Sequence, residues 1–518
     1  MLIKNKNSFF IFLGCLVVGL ILLNITSRDI FKRWDLTDNK MFSLSNSSKN
    51  IVTKLDDLLT IKVYFSDDLP NELGNTRRYL QDILEEYRAV SKDINFYFYD
   101  PSTDSELEEQ ARKDGIQPVQ MQALENDQMV VKKVYLGMVL LYEEKKEILP
   151  VIQTTAGLEY MISTKIKSLI NLDKKTIGLM HLNLSSDIKT ENIKRQLNQH
   201  YTFRTLPSNN DIPTNIDLLL LTGTTDTLDP KITESLSKYL ESGRTILLTQ
   251  SGVKADLQLQ QANQINSNIF EFLNQYRLDL QRNLVLDGKC GKVTVQVQQG
   301  PFLIPYPIDY PFFPIVDSFN DTQIVVSELE QVRPLFPSEI KIDTLLNDKV
   351  ENVVPLFYSS NNSGLMETNL ILSPDPQQNP FIRILGQKRK ILAASSKLKS
   401  GGELMLISDS GFLNDEGGMA LEENIVFLLN AIDYLVGDQD LISLRSREIT
   451  NRPLDILQLN DKEEQNYSQE EKDKMTDRIK KRWKFANMIL PSFLIIGFGL
   501  FRMRKEKNEA EMLKQIYD

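Results

Sequence analysis

At 518 residues, with 41% hydrophobic and 25% charged side chains, the chain is long enough for roughly three or four domains with real cores. Its net charge of −10 argues against a nucleic-acid partner, which needs a basic face. Two cysteines, Cys15 and Cys290, build no disulfide framework, and two histidines, His181 and His200, exclude a His-rich metal site.

In chain order, the first feature is an uncharged apolar run, about 9–25, with Lys4 and Lys6 before it and Arg28, Lys32 and Arg33 after it. At ~1.5 Å per residue it almost spans a hydrocarbon core, and its flanks complete the crossing. Residues 1–27 therefore read as an N-terminal transmembrane anchor. A secretory signal peptide competes with this reading, but its apolar region is usually ~7–15 residues and ends in a small-x-small site. Lipid attachment at Cys15 would leave few apolar residues ahead of it.

Residues 28–172 read as an α/β domain. Trp34 suits a membrane interface. Ser45 caps a helix with Ile51, Val52 and Leu55 on one face. Ile61–Phe65 alternates as a strand, and a helix follows through Tyr79, Leu80, Ile83, Leu84 and Tyr87. Ile94–Tyr99 is a second strand, ended by Asp100-Pro101, and Ser105–Lys113 is a helix stopped by Gly115. Val130–Tyr142 and Lys146–Val151 read as a hairpin, and Thr155–Ile170 as a closing helix. This order is thioredoxin-like, but the Cys-x-x-Cys of a redox enzyme is absent, which leaves a binding or spacer domain.

Residues 173–290 have the clearest rhythm. Lys175–His181, Phe203–Leu206, Asp217–Thr222 and Thr245–Thr249 read as strands, with helices at Asp187–Asn198 and Pro230–Glu241 between them. Apolar strands alternating with helices predict a parallel sheet covered on both faces. Ligands of such sheets sit at the carboxyl ends of the strands. Here those ends carry His181-Leu182-Asn183, Gly223-Thr224-Thr225 and Gln250-Ser251-Gly252.

Residues 291–460 read as a mixed α/β continuation. Leu284–Asp287, at the end of the preceding segment, and Val293–Val297 predict strands. The prolines and aromatics of 301–307 and 311–314 predict an extended crossing without a ladder. Ile324–Leu329, Lys390–Ala394 and Leu404–Ser408 predict late strands, and Asn424–Val436 a helix. A charged juxtamembrane helix, 461–484, reads as a solvated stalk, acidic first and basic last, matching the helix dipole. It leads into a second apolar run, Phe485–Phe501, followed by Arg502, Arg504 and Lys505 in a tail at 502–518. That run reads as a C-terminal transmembrane helix, a short buried core helix being its competitor. Its Pro491, Gly497 and Gly499 are tolerated in membrane helices. Basic residues flank both ends of both segments, so charge bias leaves the orientation open.

Several stretches, in order along almost the whole chain, resemble the GldG family of gliding-motility-associated ABC transporter auxiliary proteins, and more broadly the auxiliary components of uncharacterised ABC transport systems. They are Arg33-Trp34-Asp35-Leu36-Thr37 with Phe42-Ser43-Leu44-Ser45, then Tyr99-Asp100-Pro101, then Leu284–Cys290 with the proline-aromatic run. Leu428–Leu435 and Leu441–Arg447 with Arg452-Pro453-Leu454-Asp455 complete them. The family often carries a Gly-His-Gly-Glu-like turn after the first central strand, where this chain has His181-Leu182-Asn183-Leu184. The resemblance implies a body in the periplasm, held in the inner membrane by two helices. It implies partners, a separate ATPase and a separate permease, and a link to gliding motility. The tail at 502–518 would then be cytoplasmic.

An enzyme reading has two candidate nucleophiles. The central sheet resembles the amidotransferase-like α/β fold, where a Cys or Ser sits on a sharp strand-to-helix turn. The turn Thr249-Gln250-Ser251-Gly252-Val253 lacks the small flanking residues of such an elbow. Cys290 with His181 has the chemistry of a thiolate–base pair, but no spacing joins them. The glycine-rich acidic stretch from Asp409 to Gly418 lacks the alternating oxygen ligands of a calcium loop, and no P-loop pattern occurs. We therefore assign no catalytic, cofactor-binding or metal residues and expect no cofactor. The ligand is left open. A non-enzymatic accessory subunit is the leading reading, and a membrane-anchored hydrolase of amidotransferase-like fold is the alternative.

Overall fold

The computed structural model describes residues 43–517, with Gly14 and Val18. It leaves out 68, 70, 126–127, 156, 171–173, 183–187, 199, 209–211, 300–301, 328, 344–347, 376–377, 379–380 and 447–468. The chain divides into two units, Met1–Ile449 and Thr450–Asp518. The expected first anchor, apart from Gly14 and Val18, lies outside the described residues. So do the matching stretches at 33–37 and 452–455.

From Ser43 onward, the first described element is helix α1 (Asn46–Val52), capped by the Ser45 side chain accepting from Ser48 N. Then come β1 (Leu59–Phe65), α2 (Asn71–Val90), β2 (Ile94–Tyr99), α3 (Ser105–Lys113), β3 (Val119–Glu125), β4 (Gln128–Val134), β5 (Leu136–Tyr142), β6 (Lys145–Leu149) and α4 (Leu158–Ile170). Four of these strands form a sheet in the order β2-β1-β5-β6. β1 and β2 run parallel, and β5 and β6 join antiparallel. One face of β1 and β5 packs Leu59, Ile61, Val63, Leu136, Met138 and Leu140 against α1, α2 and α4 in a single core.

The expected single strand over Val130–Tyr142 is two strands. β4 turns back onto β3, pairing Val134 with Val119, while β5 enters the main sheet. Tyr135 makes the break. Its carbonyl accepts from Ser66 N at 3.0 Å and its N–H donates to Ser66 Oγ at 3.0 Å, so both backbone groups leave the β3–β4 ladder.

The chain continues through β7 (Thr176–His181), α5 (Glu191–Leu197), β8 (Thr202–Leu206), β9 (Leu218–Thr222), α6 (Pro230–Glu241), β10 (Thr245–Thr249), the hairpin β11–β12 (Val253–Asp256, Gln261–Gln264), α7 (Ile269–Asn274), β13 (Leu278–Leu280) and β14 (Leu284–Asp287). β15 (Cys290–Gln299), β16 (Phe302–Pro314), β17 (Ser318–Phe319), β18 (Ile340–Ile342), β19 (Val350–Tyr358), β20 (Ser363–Met366), β21 (Ile391–Leu398), β22 (Glu403–Ile407), α8 (Glu422–Leu435) and α9 (Gln439–Ser446) complete the unit. The large sheet runs β13-β18-β21-β22-β10-β9-β7-β8, with β19 on β21 and β17 on β19. From β22 to β8 it is parallel. It takes strands from both sides of residue 290, so the segments 173–290 and 291–460 share one sheet rather than standing as separate bodies.

Alternation explains the fully buried strands. Ile177, Leu179, Leu218, Leu220, Leu247, Met405 and Ile407 face one core, closed by α5 and α8. Met180, Leu219, Leu221, Ile246, Leu248, Leu404 and Leu406 face the other, closed by α6 and α7. Both faces are covered, as a parallel sheet requires.

Two expectations fail in the late chain. Ile324–Leu329 is no strand: Ile324–Val326 is a single 3-10 turn whose Val325 and Val326 are buried in the α8-side core. The proline-aromatic run does form a ladder, pairing β16 antiparallel with β15 from Gln299–Phe302 back to Cys290–Pro314. Prolines are admitted because this ribbon has two strands and hence only edges.

The second unit holds helix α10 (Gln469–Tyr517). The expected stalk and second apolar run are one continuous helix with the tail, and 461–468 lies outside the described residues. No helix among the described residues is long and apolar enough to cross a membrane.

Candidate functional site

The carboxyl ends of the parallel strands are where a ligand would sit, and there the chain has filled its own crevice. Gln250, fully buried, accepts from Thr224 N with Oε1 at 2.8 Å. It returns Nε2 to Thr224 O at 3.0 Å and to Ser251 O at 2.8 Å. A side chain on Gly223 would meet Thr249 O at 2.6 Å and Gln250 Oε1 at 2.8 Å, so only glycine lets the two strand ends close.

Ser251, the candidate elbow nucleophile, is buried, and its Oγ accepts from Ser410 N at 2.8 Å. The next residue is locked as well. Gly252 N donates to Ser338 Oγ at 2.8 Å, and a Cβ there would lie 1.9 Å from Gln281 O. β22, expected only as a late strand of the continuation, joins the parallel sheet and adds Ser408 and Asp409 to this end. Asp409 is fully buried and accepts from Leu335 N at 2.9 Å and Gly411 N at 2.8 Å. Burial outweighs these two bonds and pushes its carboxyl up to about 7.

The other candidates are not brought together. His181 ends β7 with Nδ1 3.2 Å from Thr222 Oγ1, and burial first, then Lys194, lowers its pKa. Cys290 opens the ribbon, its thiol pushed up to about 11 by burial and then by Asp309. That is the opposite of an activated thiolate. Asn183 lies outside the described residues. The loop from Asp409 to Gly418 serves the fold instead, because Asp415 caps α5, accepting from Glu191 N at 2.8 Å and Asn192 N at 3.0 Å. Among the described residues no cluster of His, Cys, Asp or Glu is placed to hold a metal ion.

A second polar centre lies where α4 of the first sheet body meets α8 and α9. Arg445, almost fully buried, donates through Nη1 to Asn430 Oδ1 at 2.7 Å and through Nη2 to Asp433 Oδ2 at 2.7 Å. Nη2 also reaches Tyr160 OH at 3.0 Å, and the guanidinium lies 5.3 Å from that ring's centre. Asp433 Oδ1 accepts from Tyr201 OH at 2.5 Å. Burial is the largest influence and works against the charge of Arg445, but Asp433 and Tyr160 together outweigh it and hold the guanidinium more firmly protonated than usual.

Beside this pair is a cavity of about 60 Å³ lined by Lys167, His200, Tyr201 and Asp438 among others. His200 falls to about 4, from burial first and then from Arg445 and nearby lysines, so it is a neutral imidazole. Asn430, Asp433 and Arg445 fall within the two late stretches that carry the family resemblance, and nothing in either stretch alone shows that they meet. What the centre can do chemically is join two bodies, since Arg445 and Asp433 are bonded to Asn430, Tyr160, Tyr201 and each other.

Residues 174–431 match a family described as an ABC-type uncharacterized transport system, and residues 38–141 match a domain of unknown function, DUF7088. A Borreliella burgdorferi protein, itself named only as uncharacterized, is 23% identical over 490 residues, covering 86% of this chain and 90% of its own length. Among solved structures, the mmIFT52 N-terminal domain aligns at a TM-score of 0.34 and 14% identity, covering 50% of this chain and 96% of its own. A glutamine amidotransferase from Thermotoga maritima aligns at 0.23 and 9% identity, covering 53% and 99%.

Proposed function

We propose that this chain, whose residues 174–431 match a family of ABC-type transport systems, is a non-enzymatic accessory subunit of such a system, working beside a separate permease and ATPase. The family match carries the reading. The crevice filled by Gln250 supports it, because the usual ligand place of a parallel sheet is taken by the chain itself. The order β2-β1-β5-β6 supports a thioredoxin-like first body, and without paired cysteines that body has no dithiol to cycle.

The same proposal holds the chain at the inner membrane through 9–25 and 485–501, with 28–484 in the periplasm and a link to gliding motility. Its support is the apolar sequence of the two runs, the exposed Phe485, Phe493, Ile495, Phe498 and Phe501 on α10, and the family resemblance. Gly497 and Gly499 have open space where a side chain would stand, which suits close approach of a permease helix. Co-purification of the permease with the full chain tests this. The double replacement Gly497→Leu and Gly499→Leu is expected to abolish it, and unchanged recovery overturns the helix contact. Alkaline phosphatase fused after residue 252 is expected to be active in a Gram-negative host. Activity from a cytoplasmic reporter alone at that site overturns the topology.

A further inference from the structure

The ribbon β15–β16 is uncharged over most of its length. From Val293 to Ile308 there is no charged residue, and the first charged rung is Lys292 opposite Asp309. Phe302, Leu303, Ile304 and Tyr306 are exposed, whereas Tyr310 and Phe312 further down the same strand are buried. A two-stranded ribbon alone is marginal in water, so this one stands in need of further strands.

Its two edges differ. Opposite residues of an antiparallel pair alternate between rungs that bond to each other and rungs whose N–H and C=O point outward. Pro305 and Pro307 lie opposite Gln296 and Thr294, two residues apart and so of one parity. A proline has no N–H to give, which fits the outward rungs. The outer edge of β16 is thereby blunted at 305 and 307. The same rungs turn the N–H and C=O of Thr294 and Gln296 outward on β15, and among the described residues no strand pairs there. Proteins blunt the edges they must protect. Here one edge is blunted and the other is open.

Lipid does not satisfy an open edge, because the hydrocarbon core offers nothing to unpaired N–H and C=O groups. A strand does. We propose that the open edge of β15 pairs antiparallel with the same edge of a second copy of this chain, about a two-fold axis at Val295. That register sets Thr294 against Gln296 of the second copy and Val295 against itself, with Val293 against Val297. Apolar residues then meet apolar ones, polar meet polar, and Lys292 falls opposite Gln298 rather than another charge. The contact is isologous, as in most homodimers, and turns two marginal ribbons into one four-stranded sheet, β16-β15-β15-β16. A chain with a net charge of −10 repels its copies over most of its surface, and this stretch carries none of that charge.

The test uses the full chain in detergent, with Cys15 and Cys290 replaced by Ser. At the centre of the register the two Val295 Cα atoms stand about 4.5 Å apart, within disulfide reach. Val295→Cys is expected to give a homodimer band under mild oxidation in more than half of the chains. Gln296→Cys, facing Thr294 instead of itself, is expected to give several-fold less, and Pro305→Cys on the blunted edge none. Gln296→Pro removes an outward donor and is expected to convert dimer to monomer with the thermal unfolding of the body retained. A monomer that does not cross-link through Val295→Cys overturns the proposal. So do equal yields from Val295→Cys and Pro305→Cys, or a cross-link in cells to a different protein.

Discussion

The centre at Arg445 and the ribbon of 290–314 invert the usual rule of polar outside and apolar inside, each in its own way. The first buries a guanidinium and a carboxylate, with Nη1 and Nη2 of Arg445 answered by Asn430, Asp433 and Tyr160 and both oxygens of Asp433 by Arg445 and Tyr201. The second shows phenylalanine, leucine, isoleucine and tyrosine to solvent with nothing of the described chain laid over them. A buried charge persists when its partners are built in. An exposed apolar stretch marks a partner that lies elsewhere. The contrast separates what holds this molecule together from what it offers to another.

The largest effect belongs to Arg445. Arg445→Ala leaves Asp433 as an uncompensated buried carboxylate and strips Asn430 and Tyr160 of a donor. The expected loss is about 3–5 kcal/mol in chemical denaturation. Adding Asp433→Leu to an Arg445→Met chain removes the stranded charge and is expected to recover a large part of that loss. If the double variant is no better than Arg445→Ala, the centre is held by packing and its contrast with the ribbon weakens.

Next comes Asp409, whose burial is opposed by only two backbone N–H groups. Its carboxyl titrates near 3.8 when free and at about 7 in the fold. Between those values the folded state keeps a proton that the unfolded state has released. The contribution of this group to stability is therefore fully present below about pH 4, falls as the pH rises to 7, and is flat above. The fall is on the order of 4 kcal/mol. Asp409→Asn removes it, so the stability difference between wild type and variant is expected to slope over pH 4–7. Parallel curves refute the titration.

A smaller effect is expected at Gln250. Gln250→Ala leaves Thr224 N and Thr224 O without their partner in a buried crevice, at a cost of about 1–3 kcal/mol by thermal or chemical unfolding. A neutral result means that water takes the place of the amide and that the crevice has room for a ligand. That would reopen the ligand-binding role the fold otherwise leaves to other surfaces.

How much of this is legible in the sequence depends on the range of the signal. β9 and β10 are plain in Leu218–Thr222 and Thr245–Thr249, because runs that short and apolar, bounded by helices, have few other uses. The hairpin β3–β4 is not, since Gln120, Gln122 and Lys132 dilute its alternation and its break depends on Ser66, far back in the chain. The ladder of β16 is hidden because its prolines argue against a central strand and say nothing about a free edge. Of the candidate site, Gln250 and Ser251 stand out in the sequence as open to a ligand, and only the fold shows Thr224 and Ser410 claiming them. Arg445 meets Asp433 twelve positions away and Tyr160 at 285, distances that no periodicity links.

The smallest effect is expected at the ribbon tip, and its smallness is informative. Replacing Phe302, Leu303 and Tyr306 together by Ser removes three large side chains, which in a core would cost many kcal/mol. All three are more than half exposed and lie on β16, not on the open edge of β15. The folded body gains little from them, so the triple variant is expected to unfold within about 0.5 kcal/mol of wild type. Tyr310 on the same strand supplies the contrast. Its OH donates to Leu372 O at 2.6 Å, and its ring meets Phe312 and Phe313 edge-on. Tyr310→Ala is therefore expected to cost about 3–5 kcal/mol by the measure for buried aromatics. One strand would then carry two kinds of aromatic residue, one spent on the fold and one kept out of it. A triple variant as damaging as Tyr310→Ala would mean that the tip is covered by the chain's own residues, and the contrast with Arg445 would disappear.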